Sequence, residues 1–295
     1  MIAEQLLGNL TQGVVLGCVY GVATMGLSLI FGVLKVVNVG HGAFIMVGCF
    51  VSLFFFNTLG LNPFLAIPAA FLLGLGIGYL FYHSAIRRLL KAPELSTLLA
   101  TFYMGVILQE VVKFIYGSEY RGFNWKVGSL SLGFTTLPMA KLYAAICSIA
   151  VALILYAWFR KTRAGTAMRA VVEDDEGARV CGVNVNGVYA LSFALGIGLT
   201  VASGVMLAMF MPVGINPYMG AEYTLKAFVI AVLGGLASPY GAFFGGLIFG
   251  IIENGSYTFL AAIPGLEPFS MTRFLAFAML LIILLIRPTG LLRSK

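Results

Sequence analysis

Charge is what this chain has least of. It carries 18 basic and 11 acidic residues, 10% of its 295, while 60% are hydrophobic. Soluble domains run at about a quarter charged residues, so a water-soluble globular fold is excluded and the chain reads as a polytopic membrane protein. Histidine is scarce as well, with two residues, and there are four cysteines. Cys18, Cys49 and Cys147 fall in apolar runs and Cys181 in a polar loop, so no disulfide framework is implied and no metal site is expected. A Gly-x-x-x-x-Gly-Lys-Ser/Thr phosphate loop is missing, and there is no room for a soluble nucleotide domain. Nothing in the chain is therefore expected to hydrolyse ATP, and no catalytic residue or cofactor is expected in it. A cleavable signal is not expected either. The N-terminus carries Glu4 without Lys or Arg, and the first apolar run is long enough to span. The net charge of +7 does not point to nucleic acid, because the basic residues lie in short clusters beside apolar runs, where the positive-inside rule places them.

What is present is a series of apolar runs. A spanning helix needs about 20 largely apolar residues. By that measure spans are predicted near 8–33, 39–58, 62–83, 95–116, 139–159, 186–211, 223–238, 240–260 and 270–287. The seventh and eighth are short and interrupted by glycine, so they read either as one re-entrant pair or as two tilted helices. The expected fold is all-α and polytopic, a single transmembrane domain over 1–295 with about eight to ten helices. Its seventh and eighth spans are a re-entrant or broken helix pair on the first of those readings, and a short cytoplasmic helix is expected besides. The 36 glycines suit packed membrane helices, where small residues let backbones approach.

Lys and Arg set the expected orientation. Arg87, Arg88 and Lys91 form one cluster, the segment from Arg160 to Arg179 the largest, and Arg287, Arg293 and Lys295 the last. Counting spans between them places the N-terminus outside, Lys35 inside and the C-terminus inside. The loop 117–138 then lies outside, where Tyr120, Phe123 and Trp125 suit an interfacial cap; Arg121 and Lys126 are mild exceptions. One internal similarity appears. Val33-Leu34 and His41-Gly42-Ala43-Phe44 align with Val232-Leu233 and Tyr240-Gly241-Ala242-Phe243, in each case a polar Gly-rich turn leading into a span. This is either a duplication of the kind that builds sites near the midplane or a chance match in an apolar chain.

The loop 160–184 stands apart. Arg160, Lys161, Arg163, Arg169, Glu173, Asp174, Asp175, Glu176 and Arg179 put nine charges into a segment flanked by apolar runs, so it belongs in water. Thr166 is expected to cap a short helix bearing Arg169, and Asp174 or Asp175 a second one, since a short carboxylate accepts the free amide hydrogens of a first turn. Gly182 is the expected stop, where a positive φ costs glycine nothing. Ala178, Cys181 and Val180 would form a small apolar face. Such a pair of helices is a docking surface for a soluble partner; the plainer reading is a solvated loop that only sets topology.

Ionisable and amide groups in the spans are the other candidates. Asn38, His41 and Gly42 open the second span, near the cytoplasmic face by this topology, as a path-lining element or gate; the plainer reading of His41 is a hydrogen-bonded packing residue. Glu253 and Asn254 lie well inside the eighth span, and Glu253 is the residue most costly to bury without purpose. Glu110 with Lys113, and Glu222 with Lys226, are spaced to pair on their own helices. His83 ends the third span. Gly74, Gly78, Gly245, Gly246 and Gly250 give small-residue faces for packing.

Four pieces of this sequence together resemble one family. Gly165-Thr166-Ala167-Met168-Arg169-Ala170, the acids that follow, Ala178 and Gly182-Val183 look like the cytoplasmic EAA-type loop of ABC importer permeases, closest to the LivH-type branched-chain amino acid permeases. Asn38-Val39-Gly40-His41-Gly42 is similar to that family's Asn-x-Ala-His-Gly element, with Gly40 where Ala is usual. Leu233-Gly234-Gly235-Leu236-Ala237-Ser238-Pro239-Tyr240-Gly241-Ala242 resembles its late Gly-Gly turn, and Arg287-Pro288-Thr289-Gly290-Leu291 its ending. The four unbroken acids, Glu173 to Glu176, depart from the family's mixed pattern and leave open which carboxylate meets an ATPase.

The resemblance implies an inner-membrane subunit that works with a second permease, two cytoplasmic ATPases holding ATP and Mg, and a periplasmic substrate-binding protein. It also implies that Arg169, Glu173, Asp174, Asp175, Glu176, Ala178, Arg179 and Gly182 couple nucleotide-driven closure to the spans. Leucine, isoleucine and valine are the implied cargo, although relatives carry other amino acids, amides or urea. Two other functions stay open on the residues alone. One is a stand-alone secondary transporter of small amino acids or amides, with Glu253 and His41 in ion coupling. The other is a structural subunit with no path of its own.

Overall fold

The computed structural model describes residues 2–261 and isolated positions between 271 and 285. The predicted span 270–287 and the basic cluster Arg287, Arg293 and Lys295 therefore lie largely or wholly outside the described residues. The rest is helical: α1 (Ile2–Leu34), α2 (His41–Asn57), α3 (Ala66–Phe81), α4 (Arg87–Leu89), α5 (Glu94–Tyr116), α6 (Met139–Lys161), α7 (Arg163–Glu173), α8 (Asp175–Val180), α9 (Val185–Ala208), α10 (Gly220–Gly234) and α11 (Pro239–Ala261). A 3₁₀ turn leads into α3, and the π-helical turn Tyr82–Ile86 joins it to α4. One antiparallel hairpin, β1 (Ser129–Ser131) with β2 (Thr136–Pro138), lies in the loop 117–138.

Among the described residues, five apolar segments are long enough to cross a membrane: those built on α1, α3, α5, α6 and α9. They divide by burial. The apolar windows of α1 and α9 are 83% and 89% buried, while those of α3, α5 and α6 are 22%, 17% and 28% buried. α1 and α9 are thus the central pair, and the apolar faces of the other three turn outward, as lipid-facing helices should. α2 is a shorter apolar helix, and α10 and α11 form a pair bent by 112° at their break. The two doubtful spans of the sequence are thus one bent unit.

Glycine sets how closely these helices approach. Along the antiparallel seam of α1 and α11, Gly13 lies against Gly250, Gly17 against Gly246, and Gly21 against Phe243. A side chain at Gly246 would run into the backbone of Gly21. Gly74 and Gly78 do the same work between α3 and α9, facing Gly198 and Ala194. Without a hydrophobic force between helices in lipid, van der Waals contact across such small-residue seams holds the bundle together.

The two segments that look alike in sequence are both helix–turn–helix units, α1 with α2 and α10 with α11. They exchange partners, α1 packing on α11 and α2 on α10, and their turns meet where Gly32 faces Ala237. Lys35 (φ 57°) and Gly235 (φ 94°) supply the left-handed residue that closes each preceding helix. In the second turn the Ser238 hydroxyl accepts from Gly241 N at 3.1 Å, and Pro239 starts α11, a preferred first helical residue because its missing N–H would lack a partner anyway.

Candidate functional site

Three groups of residues carry the chemistry, and each starts from a local sequence feature. The first is the polar loop. α6 ends at Lys161 and Thr162 turns outward into extended backbone, where its hydroxyl accepts from Gly165 N at 3.0 Å. The cap of α7 is therefore Thr162 and not Thr166, which lies inside the helix and donates to the Thr162 carbonyl. Gly165 lets α7 cross directly over the backbone of Phe159. Gly165, Met168 and Val171 are buried, so α7 lies along the bundle with one apolar stripe inward and Arg163, Arg169 and Glu173 outward. Arg169 also has work within the chain: its guanidinium donates to the Phe159 carbonyl near the end of α6 and, at 3.2 Å, to Thr166 Oγ1. A cation there complements the negative end of the helix dipole.

Asp174 caps α8, accepting from Glu176 N at 3.1 Å. Asp175 receives the Tyr189 hydroxyl at 3.3 Å and faces Arg179 at 3.9 Å. Gly182 stops the helix at φ 82°, with Val183 N returning to the Ala178 carbonyl at 2.9 Å. Ala178 is buried, but the expected apolar face with Val180 and Cys181 does not form. Val180 is 89% exposed and Cys181 is exposed too, because a six-residue helix can bury only one narrow stripe. Glu173, Glu176 and Arg179 are exposed around it.

The second group is the break before α2. After Lys35 the chain runs back along α5: Thr101 Oγ1 donates to the Val37 carbonyl at 3.2 Å and accepts from Val39 N at 3.2 Å. Gly40 lies against Thr101 and Gly105 in mid-α5, and Gly42 lies against Gly220 and Thr224. The Gly42 amide donates to Thr224 Oγ1 at 2.8 Å. His41 consequently sits beside Thr200 in the middle of α9, its Nδ1 3.5 Å from Thr200 Oγ1, and not near the end of the bundle as a span starting at 39 suggested. Asn38 and His41 are fully buried. Among the described residues neither Asn38 amide atom nor His41 Nε2 has a hydrogen-bond partner, which is costly in an apolar interior.

The third group was only half visible in sequence. Lys226 does pair with Glu222, at 3.2 Å, but it also pairs with Glu253 of α11 at 2.8 Å and reaches the Tyr20 hydroxyl of α1 at 3.2 Å. Its ammonium lies 5.4 Å from the ring centres of both Tyr20 and Tyr223, a cation–π cage. Lys226 is buried and Glu253 is largely so, while Glu222 is partly open. These residues line a cavity of about 530 Å³ whose other walls include Leu16, Leu207, Phe210, Met211 and Asn254. Asn254 donates to the Gly250 carbonyl at 3.1 Å. A cavity of about 670 Å³ lies elsewhere, between α3 and α9, with Tyr82, His83, Arg87 and Asn184 on its rim. The isolated Glu253 was the signal for the third group; Tyr20 and Tyr223 gave none. Among the described residues no three His, Cys, Asp or Glu are grouped so as to hold a metal ion. The pair Glu110 and Lys113 closes locally at 2.6 Å, as its spacing predicted.

Residues 9–284 match the family described as the permease component of the branched-chain amino acid transport system. The chain is 32% identical to the high-affinity branched-chain amino acid transport system permease protein LivH of Salmonella typhimurium, over 99% of this chain and 97% of that protein. It is 28% identical to the corresponding permease protein BraD of Pseudomonas aeruginosa, over 97% and 95%. In fold it is similar to PsaBC from Streptococcus pneumoniae, solved in complex with Fab, with a TM-score of 0.53 at 17% identity over 98% of this chain and 97% of that one. Full-length agreement in sequence, with a bundle of apolar helices that includes a bent pair, places this chain in the permease family of the branched-chain amino acid transport systems.

Proposed function

We propose that this chain is a permease subunit of an ATP-binding-cassette importer, moving branched-chain amino acids or close analogues across a bacterial inner membrane. ATP hydrolysis takes place in partner ATPases, and the chain works beside a second permease and a periplasmic binding protein. The observation that carries this reading is the pair α7 and α8. It is held to the bundle by Met168, Val171 and Ala178 on one side, and it presents Val180, Glu173, Glu176 and Arg179 on the other. A loop that merely set topology would need no capped, glycine-stopped helices with a buried stripe. The exposed side suits a cleft in a soluble subunit, and Arg169 ties α7 to the end of α6, so a push on the loop would reach a spanning helix directly. On this reading the polar loop is cytoplasmic, the N-terminus periplasmic and the C-terminus cytoplasmic. The buried break at Asn38–Gly42 then serves as a gate element.

The test is gentle extraction of the tagged chain from its own membranes, followed by identification of what co-purifies. Two ATP-hydrolysing subunits and a second permease are expected. Replacing Ala178 or Gly182 with a bulky residue should release the ATPases and stop uptake. Uptake by the chain alone, indifferent to those substitutions, would instead favour a secondary transporter.

A further inference from the structure

The cavity of about 670 Å³ between α3 and α9 has two unlike ends. Its rim holds His83, Arg87, Asn184 and Asn186, and further along both helices the walls become Leu75, Leu191 and Ala194. Arg87 is exposed, and no acid among the described residues pairs with it. Arg88 and Lys91, close by in the chain, are exposed too. α9 begins at the same rim. Asn184 caps it by accepting from Gly187 N at 3.1 Å, which leaves further first-turn amides as donors suited to an anion. Tyr82 is fully buried in the wall, and its hydroxyl has no hydrogen-bond partner among the described residues, a costly state away from water. A cation, open helix amides and an unused hydroxyl donor thus meet where no described carboxylate lines the cavity. The groove also continues inward. A cavity of about 410 Å³ is walled by Ile67 and Phe71 of α3, Ile154 and Trp158 of α6, and Leu195 and Leu199 of α9. The two cavities follow one another along the same helix faces. Leu191, Leu195 and Leu199 are successive i, i+4 positions of α9, and Ile67, Phe71, Leu75 and Tyr79 are such positions of α3.

We infer that this groove holds an anionic phospholipid, its headgroup phosphate at Arg87, Tyr82 and the start of α9, and one acyl chain along Leu191, Leu195 and Leu199. Basic pockets between spanning helices are suited to such headgroups, and an apolar trough leading away from the anion site has a use for a lipid that it lacks for a soluble anion. The rings of Tyr79, Tyr82 and His83 cluster at the change from polar to apolar wall, with centroids 4.3 Å apart for Tyr79 and His83 and 5.3 Å for Tyr82 and His83, as aromatic side chains do at a membrane interface. The inference goes beyond the importer reading and does not rest on it, since it needs only a bilayer. It does reach the polar loop. Tyr189, one turn into α9, donates to the Asp175 carboxylate of α8 at 3.3 Å, so a lipid that fixes the start of α9 also steadies α8.

The test uses the full chain with whatever subunits co-purify with it, exposed to mixtures of phosphatidylglycerol and phosphatidylcholine. Native mass spectrometry reads which lipid is retained, and amide exchange in nanodiscs reads the ordering of residues 175–191, because local stability governs exchange. Wild type is expected to keep phosphatidylglycerol in preference to phosphatidylcholine, and to exchange more slowly over 175–191 when phosphatidylglycerol is present. Arg87→Gln should lower that retention about tenfold, the worth of one hydrogen bond to a charged group, and remove the slowing. Should Arg87→Gln fail to assemble, Leu195→Trp fills the apolar trough without touching the rim and should lower retention as well. Inorganic phosphate alone should neither displace the lipid nor slow exchange. Equal retention of the two lipids, or equal retention by wild type and both variants, would overturn the inference in favour of an unselective lipid annulus. Displacement by inorganic phosphate would reduce the site to one for a soluble anion. Protection of the rim that is the same in phosphatidylcholine alone would show a protein subunit covering the groove, and would overturn the inference too.

Discussion

The protein keeps its charges in two places that obey different rules. In the loop 160–184 nine charged residues crowd one segment, most of them in contact with water, and its second helix is organised by neighbours within a few positions. Asp174 caps the helix that follows it, Arg179 faces Asp175 one turn back, and Gly182 stops that turn. Around Lys226, by contrast, three charges and two tyrosines are drawn from helices far apart in sequence, with Lys226 and Tyr20 separated by 206 positions. Exposed charges shape a surface and are individually weak. Buried ones are coupled strongly to the packing around them, so a single change there should reach the whole bundle.

Four substitutions rank that contrast. Lys226→Met removes the ammonium that pairs with the largely buried Glu253, and breaking a buried pair costs about 3–5 kcal/mol. A large drop in the complex's melting temperature is expected, with much of it recovered when Glu253→Met is added, since the surplus buried acid is then removed. Equal melting temperatures for wild type and Lys226→Met would mean the buried cluster behaves like a surface pair. Next comes Gly182→Val, which places a branched side chain at φ 82° and strains the backbone by about 1–2 kcal/mol; ATPase retention on size exclusion should fall while the spans remain folded. Asp174→Ala removes the cap of α8 for about 1 kcal/mol, read as faster amide exchange confined to residues 175–182. Smallest is Arg179→Ala. Its pair with Asp175 is half exposed at 3.9 Å, and such pairs contribute under about 1 kcal/mol, so neither stability nor loop exchange should change measurably. A marked loss of ATPase on Arg179→Ala, without loss of stability, would assign that arginine to the partner interface.

The contrast also explains what could be read in advance. The spans followed from runs of apolar residues, because a helix crossing lipid must satisfy its own backbone and needs a minimum apolar length. The loop's second helix was legible because capping chemistry acts over three or four residues. Its first helix was misplaced by one turn, since Thr162 and Thr166 are equally good caps in isolation and only the end of α6 at Lys161 decides between them. His41 was set too near one end of the bundle. A run of apolar residues does not disclose that the chain after Lys35 folds back along α5 before its helix starts. Glu253 was conspicuous as an isolated acid in an apolar run, yet its partner had already been assigned to Glu222, four residues away.

By itself, then, the sequence determined the class of the protein, the number and order of most of its helices, the polar loop with its Asp174 cap and Gly182 stop, and the family. These depend on composition, on apolar length and on interactions between near neighbours. Only the tertiary structure decided that α1 and α9 form the centre, that α10 and α11 are one bent unit, that His41 is buried against Thr200, and that Lys226 belongs to Glu253 as much as to Glu222. Each of these depends on which helix faces meet, and in an apolar, glycine-rich chain nearly every face is chemically able to meet another. The choice is made by close backbone approach at positions such as Gly17, Gly246 and Gly42, where shape selects the partner and hydrophobicity does not.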